Sequence, residues 1–315
     1  MRTCPFIKAF LHEDSTLDGS YPDRLEALRH ALGQADHVVI GAGAGLSAAA
    51  GLEYGGRRFA DNFADFIRKY RVTDMYAATF YPFSTEEERW AYLARHVRLN
   101  RYDNEPAAGL YQSLSRIVSG KNYFVITTNV DGLFEKAGFD TDRIFAVQGD
   151  YAYLQCAVGC HERLYYNEQL VREMCRHTEN CRIPSSLVPH CPVCGGRMEL
   201  HIRKDGYFIQ DSQWHECYAR YGSFLQEASH GNTLLLEFGV GYNTPTIIRF
   251  PFEQMASQAD NITLVRINRD YPNRQTSAGR FLPFGEDMNK VLADLHDCQS
   301  QTSRLSKSNF EEVNV

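Results

Sequence analysis

The sequence predicts an α/β fold: a doubly wound parallel sheet, interrupted by a helical insertion and a smaller cysteine-bearing module. Three observations carry this. His37–Ile40 and Tyr123–Ile126 are short, β-branched apolar strands whose C-terminal ends break into Gly-Ala-Gly and Thr-Thr-Asn. Helix-periodic stretches separate them from further apolar strands at Thr233–Gly239 and Asn261–Asn268. Between about residues 150 and 210 that rhythm stops, and Cys, His, Pro and Gly take over. In an open parallel sheet, ligands bind in the crevice beyond the strand C-termini. The broken strand ends therefore mark the candidate site.

Taken in order, Tyr21–Gly33 reads as an amphipathic helix with Leu25, Leu28 and Leu32 on one face, feeding the first strand. The Ser47–Gly51 run is expected to open the next helix. Phe59–Asn104 is helical in pattern and dense in Phe, Tyr and Arg, with Tyr54, Phe59, Phe63 and Phe66 expected mostly in a core and one or two rings over the site. Pro106–Ser119 reads as another helix, carrying Leu110, Leu114 and Ile117, before the second strand. A last helix spans about Glu286–His296, with Met288, Val291, Leu292 and Leu295 on one face. The Ser-, Gln- and Lys-rich stretch at 299–315 is expected to be a flexible tail.

The 315 residues carry a formal charge of -6, which gives no basic footprint for nucleic acid or an anionic membrane. No apolar run reaches the roughly 18 residues that a membrane span needs. Met1-Arg-Thr-Cys has no signal-peptide hydrophobic region. The nine cysteines are odd in number and four stand at metal-ligand spacing, so a reducing cytoplasm is the expected setting.

Gly43-x-Gly45-x-x-Ala48 matches a relaxed dinucleotide fingerprint, in which the glycines let backbone approach a pyrophosphate at a helix start. Such loops also arise in ordinary Gly-rich turns. A hydride-transferring dehydrogenase should end a second strand in Asp or Glu about 20 residues later. That window here holds the helical Phe59-Ala-Asp-Asn-Phe, which counts against that architecture. The second segment adds the Asn129 amide and the Asp131 carboxylate to the same crevice. Cys156-x3-Cys160 and Cys191-Pro-Val-Cys194-Gly-Gly have the spacing of a closed tetrahedral Cys4 zinc site, structural because no coordination position stays open. Cys175, Cys181, His161 and His177 lie close enough in sequence to substitute for a ligand.

On these residues the chain resembles the sirtuin family. Gly43-Ala-Gly-Leu-Ser47-x-x-Ala-Gly-Leu52 is similar to the cofactor motif Gly-Ala-Gly-Ile-Ser-x-x-Ser-Gly-Ile. Thr127-Thr-Asn129-Val-Asp131-Gly-Leu-Phe-x-x-Ala-Gly138 resembles Thr-Gln-Asn-Ile-Asp-x-Leu-His-x-x-Ala-Gly, and Gly239-Val-Gly241 with Pro245 looks like Gly-Thr-Ser-x-x-x-Pro. Asn268 falls where the family carries the Asn of its adenosine-binding strand end. The resemblance implies a Rossmann-like NAD-binding domain from residues 21–54, 105–150 and 211–298, a helical insertion at 55–104 and a zinc-ribbon module at 151–210. It implies NAD as co-substrate, touched by Gly43, Ala44, Gly45 and Ser47 in the first loop. Thr128, Asn129, Val130 and Asp131 follow in the second, then Gln148, then Gly239, Val240, Gly241 and Asn268.

The departures carry more. Where sirtuin deacylases place His-Gly, with the imidazole as general base, this chain has Gln148-Gly149. A glutamine amide can hydrogen-bond a ribose hydroxyl and cannot take its proton near pH 7. Pro-Asp-Phe-Arg becomes Glu53-Tyr-Gly-Gly56, the acyl-lysine clamp becomes His201–Ile209, and the serine of Gly-Thr-Ser becomes Gly241. This combination is similar to the macrodomain-linked (class M) sirtuins, which implies protein mono-ADP-ribosyl transfer rather than deacylation. The implied acceptor is a lipoylated carrier resembling the glycine-cleavage H protein, with a macrodomain hydrolase as a further partner.

The implied catalytic set is Asn129 and Gln148 on the ribose hydroxyls and Asp131 on the nicotinamide carboxamide. With no base, the simplest acceptor is already an anion, an Asp or Glu of the partner. Plainer readings stand beside each: Asn129 or Asp131 as a helix cap, Gln148 as a solvated loop amide, and Ser47 as a phosphate or ribose contact only. His161, His177, His190, His201 and His215 are expected at the surface or in turns. Deacylation or NAD hydrolysis at the same site, and a non-catalytic module sensing NAD or ADP-ribose, are the alternatives in function.

Overall fold

The computed structural model describes residues 19–273 and 279–296; the tail at 299–315 lies outside the described residues. Helix α1 (Tyr21–Gln34) starts behind Ser20, whose hydroxyl accepts from the Asp23 N–H, and buries Leu25, Leu28 and Leu32. Strand β1 (His37–Ala42) runs into α2 (Ala44–Ala49). The helical segment follows as α3 (Gly56–Tyr70), α4 (Met75–Thr79) and α5 (Glu86–Val97), and α5 passes directly into a π-helical turn at Arg98–Tyr102. Then come α6 (Ala108–Ile117), β2 (Asn122–Thr127), α7 (Leu133–Lys136) and β3 (Ile144–Ala146).

The cysteine module contributes β4 (Gly149–Cys156), β5 (Tyr165–Tyr166), α8 (Glu168–Arg176) and β6 (Met198–Ile202). The chain returns through α9 (Ser212–Ala228), β7 (Thr233–Phe238), α10 (Arg249–Gln258), β8 (Ile262–Ile267) and β9 (Arg280–Phe284) to a helix, α11, over 288–296.

The main sheet has the order β3-β2-β1-β7-β8-β9, and every pairing in it is parallel. This is the doubly wound Rossmann order, so the order in which strands are added reverses between β1 and β7, where a crevice must open. β7 and β8 are buried along their whole length, as strands covered on both faces require. A three-stranded antiparallel sheet, β5-β4-β6, stands beyond β3. No helix among the described residues is long and apolar enough to cross a membrane.

Four features depart from the expectations. The helix after β1 begins at Ala44 behind Gly43, so Ser47 sits inside it rather than opening it. Helix α9 went unforeseen because only Phe224 and Ala228 of its 17 residues are buried, which leaves almost no apolar period to read. Helix α10 hides its signal differently: its buried face includes Arg249 and Glu253. Those two pack against Glu237 of β7 and Arg266 of β8; Arg266 holds both Glu237 oxygens, at 2.7 and 2.9 Å, and contacts Glu253 at 2.8 Å. A buried quartet of alternating charge pairs within itself and with nearby backbone carbonyls while erasing the hydrophobic pattern. Strand β9 contains Pro283, which a sheet tolerates only at an edge, and β9 is the edge.

The helical segment and the cysteine module, read separately from sequence, bury one core together. Phe59, Phe63, Phe66, Trp90 and Tyr92 pack with Tyr151, Leu154, Met198 and Leu200. At its centre His96 is fully buried, with Nε2 3.0 Å from the Tyr151 hydroxyl. Burial, helped by the charge of Arg58, lowers its pKa to about 3. The imidazole is thus neutral in the fold and protonates near pH 6.5 once unfolded. Its stabilising effect is present above pH 6.5 and is lost as pH falls from there toward about 3, at up to about 1.4 kcal/mol per pH unit. Comparing urea unfolding of wild type and His96→Gln between pH 7 and 4.5, the variant is expected to show the shallower loss; equal slopes would disprove the assignment.

Candidate active site

The site forms where β1, β2 and β7 end, at the reversal of the sheet. The first and third loops meet backbone to backbone. The Gly43 N–H donates to Phe238 O and the Gly45 N–H to Gly239 O, each at 3.0 Å. A Cβ on Gly45 would stand 2.6 Å from Gly239 Cα, and one on Gly43 would stand 2.8 Å from Gly239 O. Gly239 itself has φ +58, and a Cβ there would meet Gly45 at 2.5 Å. The glycines thus serve loop-to-loop packing, a role separate from the expected approach to a pyrophosphate. Ala44 stays exposed at the loop tip, Val240 is buried, and Gly241 has open space beside it.

The second loop is tied to the first. The Thr128 N–H donates to Ala42 O at 3.0 Å, and the Asn129 side-chain N–H donates to Gly43 O at 3.0 Å. Asn129 is therefore no helix cap; its buried amide braces two loops and leaves Oδ1 without a protein partner among the described residues. The Ser47 hydroxyl donates to Asp131 Oδ2 at 2.5 Å and lies 3.0 Å from the Tyr111 hydroxyl, so it is engaged inside the protein. Asp131 Oδ1 accepts the Leu133 N–H that starts α7, although Gly132 and not Asp131 occupies the N-cap of that helix. Burial raises the Asp131 carboxyl above its usual range, and the Ser47 bond works against that rise. Val130 packs toward the smaller core, and its carbonyl accepts from the Tyr151 N–H at 3.0 Å.

Gln148 lies in the turn between β3 and β4, where the chain leaves the main sheet for the small one. Its backbone carbonyl accepts from the Arg203 N–H at 2.9 Å, and Trp214 Nε1 donates to the neighbouring Val147 O at 3.2 Å. Its side-chain Oε1 is shielded from solvent with no partner. An orphaned buried carbonyl costs about 1–3 kcal/mol, a sign that something else belongs there. Asn268 ends β8 facing the third loop, its Nδ2 donating to Val240 O at 2.9 Å and its Oδ1 accepting from Asp270 and Tyr271.

Sequence reading missed several members. Tyr111 joins Ser47 to Asn129, and its place on a core-periodic helix gave no signal. Asn104 donates to Asp131 O at 3.0 Å. Tyr151 pairs hydroxyls at 3.1 Å with Tyr54, one of the rings expected in a core or over the site. His201, expected at the surface, is buried: Nε2 bonds Ile209 O at 2.9 Å and the ring stacks on Phe208.

Away from this crevice, Cys156, Cys160, Cys191 and Cys194 bring their sulfurs within 4.8 Å of one another, with contacts of 3.8 Å for Cys156–Cys194 and 3.6 Å for Cys160–Cys191. A tetrahedron of thiolates about 2.3 Å from zinc has edges of about 3.8 Å, so the cluster fits that ion. Although burial opposes it, the Cys160 and Val158 backbone N–H groups lower the Cys156 thiol to about 6. Of the possible substitutes, Cys175 and Cys181 lie outside this group of four, while His161 stands beside it, its Nδ1 3.1 Å from Cys160 Sγ.

Two outcomes follow. Gly45→Ala should cost about 1–3 kcal/mol because backbone must give way, whereas Gly55→Ala, whose Cβ meets nothing, should stay within about 0.5 kcal/mol. Equal thermal shifts for the two would refute the contact. Cys191→Ser should leave the purified chain with less than one zinc by elemental analysis and a lower Tm, whereas full metal content would rule out this ligand set.

Comparison with known proteins agrees with this geometry. The Sir2 family model matches residues 43–224. A Staphylococcus aureus relative named protein ADP-ribosyltransferase is 36% identical over 290 residues, 91% of this chain and 92% of its own. A Fusarium oxysporum f. sp. cubense relative named probable bifunctional ADP-ribose hydrolase/ADP-ribosyltransferase is 33% identical over 80% of this chain, which spans 44% of that longer protein. Among solved structures, Sir2Tm bound to a propionylated peptide superposes with TM-score 0.55 at 16% identity, covering 88% of this chain and 98% of that one. A Sir2 homologue in complex with NAD gives 0.52 at 17% identity, covering 92% and 99%. With its motif order, its sheet order and 36% identity to a relative matched nearly end to end, the chain belongs to the Sir2 family.

Proposed function

We propose that the chain is an NAD-dependent protein mono-ADP-ribosyltransferase acting on a carboxylate of a lipoylated, glycine-cleavage-H-like carrier protein. The observation that carries the reading is Gln148: a shielded side-chain carbonyl without a partner, where the family's deacylases place an imidazole. The two buried histidines among the described residues, His96 and His201, are bonded to Tyr151 and to Ile209 O. The names of the Staphylococcus and Fusarium relatives support transfer, and the hydrolase named in the longer Fusarium protein supports a partner that removes the mark.

In this reading NAD supplies the ADP-ribosyl group, with nicotinamide as the leaving group. Asn129 Oδ1 and Gln148 Oε1 accept from the ribose hydroxyls and fix the reacting carbon toward the acceptor. Asp131 takes the nicotinamide carboxamide, and the glycine cradle of Gly43, Gly45 and Gly239 holds the rest of the dinucleotide, with Asn268 on the adenosine side. Holding a dinucleotide bent and dry is most of the work when a glycosidic bond must break. An amide cannot remove a proton, so the incoming oxygen must already be anionic. That requirement selects a carboxylate and argues against deacylation, whose later step needs a base.

Incubation with NAD labelled in the adenylate tests this. Hydroxylamine-sensitive label should appear on lipoylated carrier and be weaker on the unmodified carrier. Label on Lys or Ser, stable to hydroxylamine, would refute the carboxylate, and nicotinamide release with free ADP-ribose alone would refute transfer. Asn129→Ala should abolish labelling. Gln148→Ala should slow it tens-fold if one ribose contact is worth about 1.5–3 kcal/mol.

A further inference from the structure

We propose that Arg101 is the positioning residue that holds the Gln148 turn at a set distance from the Asn129–Asp131 loop. The inference rests on the reading above only for what those residues bind. Arg101 lies in the π-helical turn Arg98–Tyr102 at the end of α5, and insertions of this kind often mark functional positions. It comes from the helical segment yet touches both halves of the site. Its Nε donates to Asp150 Oδ1 at 2.7 Å and its Nη2 to Asp150 Oδ2 at 3.1 Å, a two-pronged grip two residues past Gln148. The same Nη2 donates to Glu135 Oε2 at 3.1 Å, on the helix that follows Asp131.

Between these partners the guanidinium lies flat against Gly132, the residue next to Asp131. Gly132 has φ +68, and a Cβ there would overlap the guanidinium. The glycine is thus required twice, by its backbone conformation and by the arginine resting on it. Three residues on, Asn104 donates to Asp131 O, so the π-turn and its exit clasp the second loop from behind at two points. Arg101 is 9% exposed, and a buried cation gripped this way is rigid. Its charge also lowers the buried Asp131 carboxyl, opposing the effect of Asp150. Lysine keeps the charge and cannot keep the two-pronged planar grip.

The test uses the full chain with Arg101→Lys and, as a second variant, Asp150→Asn. Trp214 reports the turn, because its Nε1 donates to Val147 O beside Gln148, while Trp90 is 1% exposed and little quenched. With saturating NAD present, acrylamide quenching of tryptophan should rise at least twofold in either variant. Nicotinamide release should fall tenfold or more in kcat with KM for NAD within threefold, and the double variant should fall no further than the worse single one. A lower Tm with unchanged quenching and unchanged kcat would overturn the proposal, leaving Arg101 as packing alone. Should the wild type label no acceptor, the transferase reading falls; the quenching comparison still decides the clasp.

Discussion

Two backbones touching at the reversal of the sheet set everything else in this molecule. β1 and β7 are neighbours whose loops leave in opposite directions, and they come together with no side chain between Gly45 and Gly239. That contact is held by two backbone hydrogen bonds, Gly43 N–H to Phe238 O and Gly45 N–H to Gly239 O, and it forbids a Cβ. Because the first loop is pinned to the third, Asn129 can reach from the second loop to Gly43 O and close a three-loop ring. The third loop is fixed in turn from the far side. Val240 O receives both the Asn268 amide and Arg249 of the buried charge quartet. A desolvated ion network is an expensive way to stabilise a sheet. Here it aims Arg249 at the carbonyls of Val240, Tyr271 and Asn273.

The second constraint is that the site spans two cores. Asn129 and Asp131 belong to the parallel sheet, while Gln148 sits where the chain departs for the small antiparallel one. Such a site is only as well defined as the joint between its halves. The joint is polar: Arg101 bridges Asp150 to Glu135 of α7, and the Tyr151 N–H donates to Val130 O. Polar joints of this kind are directional, so they fix register where an apolar joint would allow sliding. The zinc-type cluster includes Cys156 at the far end of β4, the strand that begins at Gly149 beside Gln148.

Much of the architecture was legible from residues alone, because its signals are local. Apolar strands ending in Gly-Ala-Gly and Thr-Thr-Asn declare a parallel sheet with an open C-terminal edge, and two cysteine pairs declare a cluster that the structure closes. What escaped was non-local. Helix α9 buries too little to show a period, α10 turns charged residues inward to meet partners on other strands, and β9 carries a proline that only an edge position excuses. His201 read as a surface residue because its partners, Ile209 O and Phe208, reach it through a turn with no pattern of its own.

The sequence by itself determined the family, the sheet that carries the crevice, the cysteine cluster and the replacement of an imidazole by an amide at position 148. Each is written in contiguous residues whose chemistry does not depend on distant neighbours. Only the tertiary structure decided that Ser47 serves Asp131 and Tyr111, that the helical and cysteine segments share one core, and that Arg101 stands between Gly132 and Asp150. Those relations join residues dozens of positions apart. They exist because a buried polar group must find partners inside the fold, and no local pattern records which ones those are.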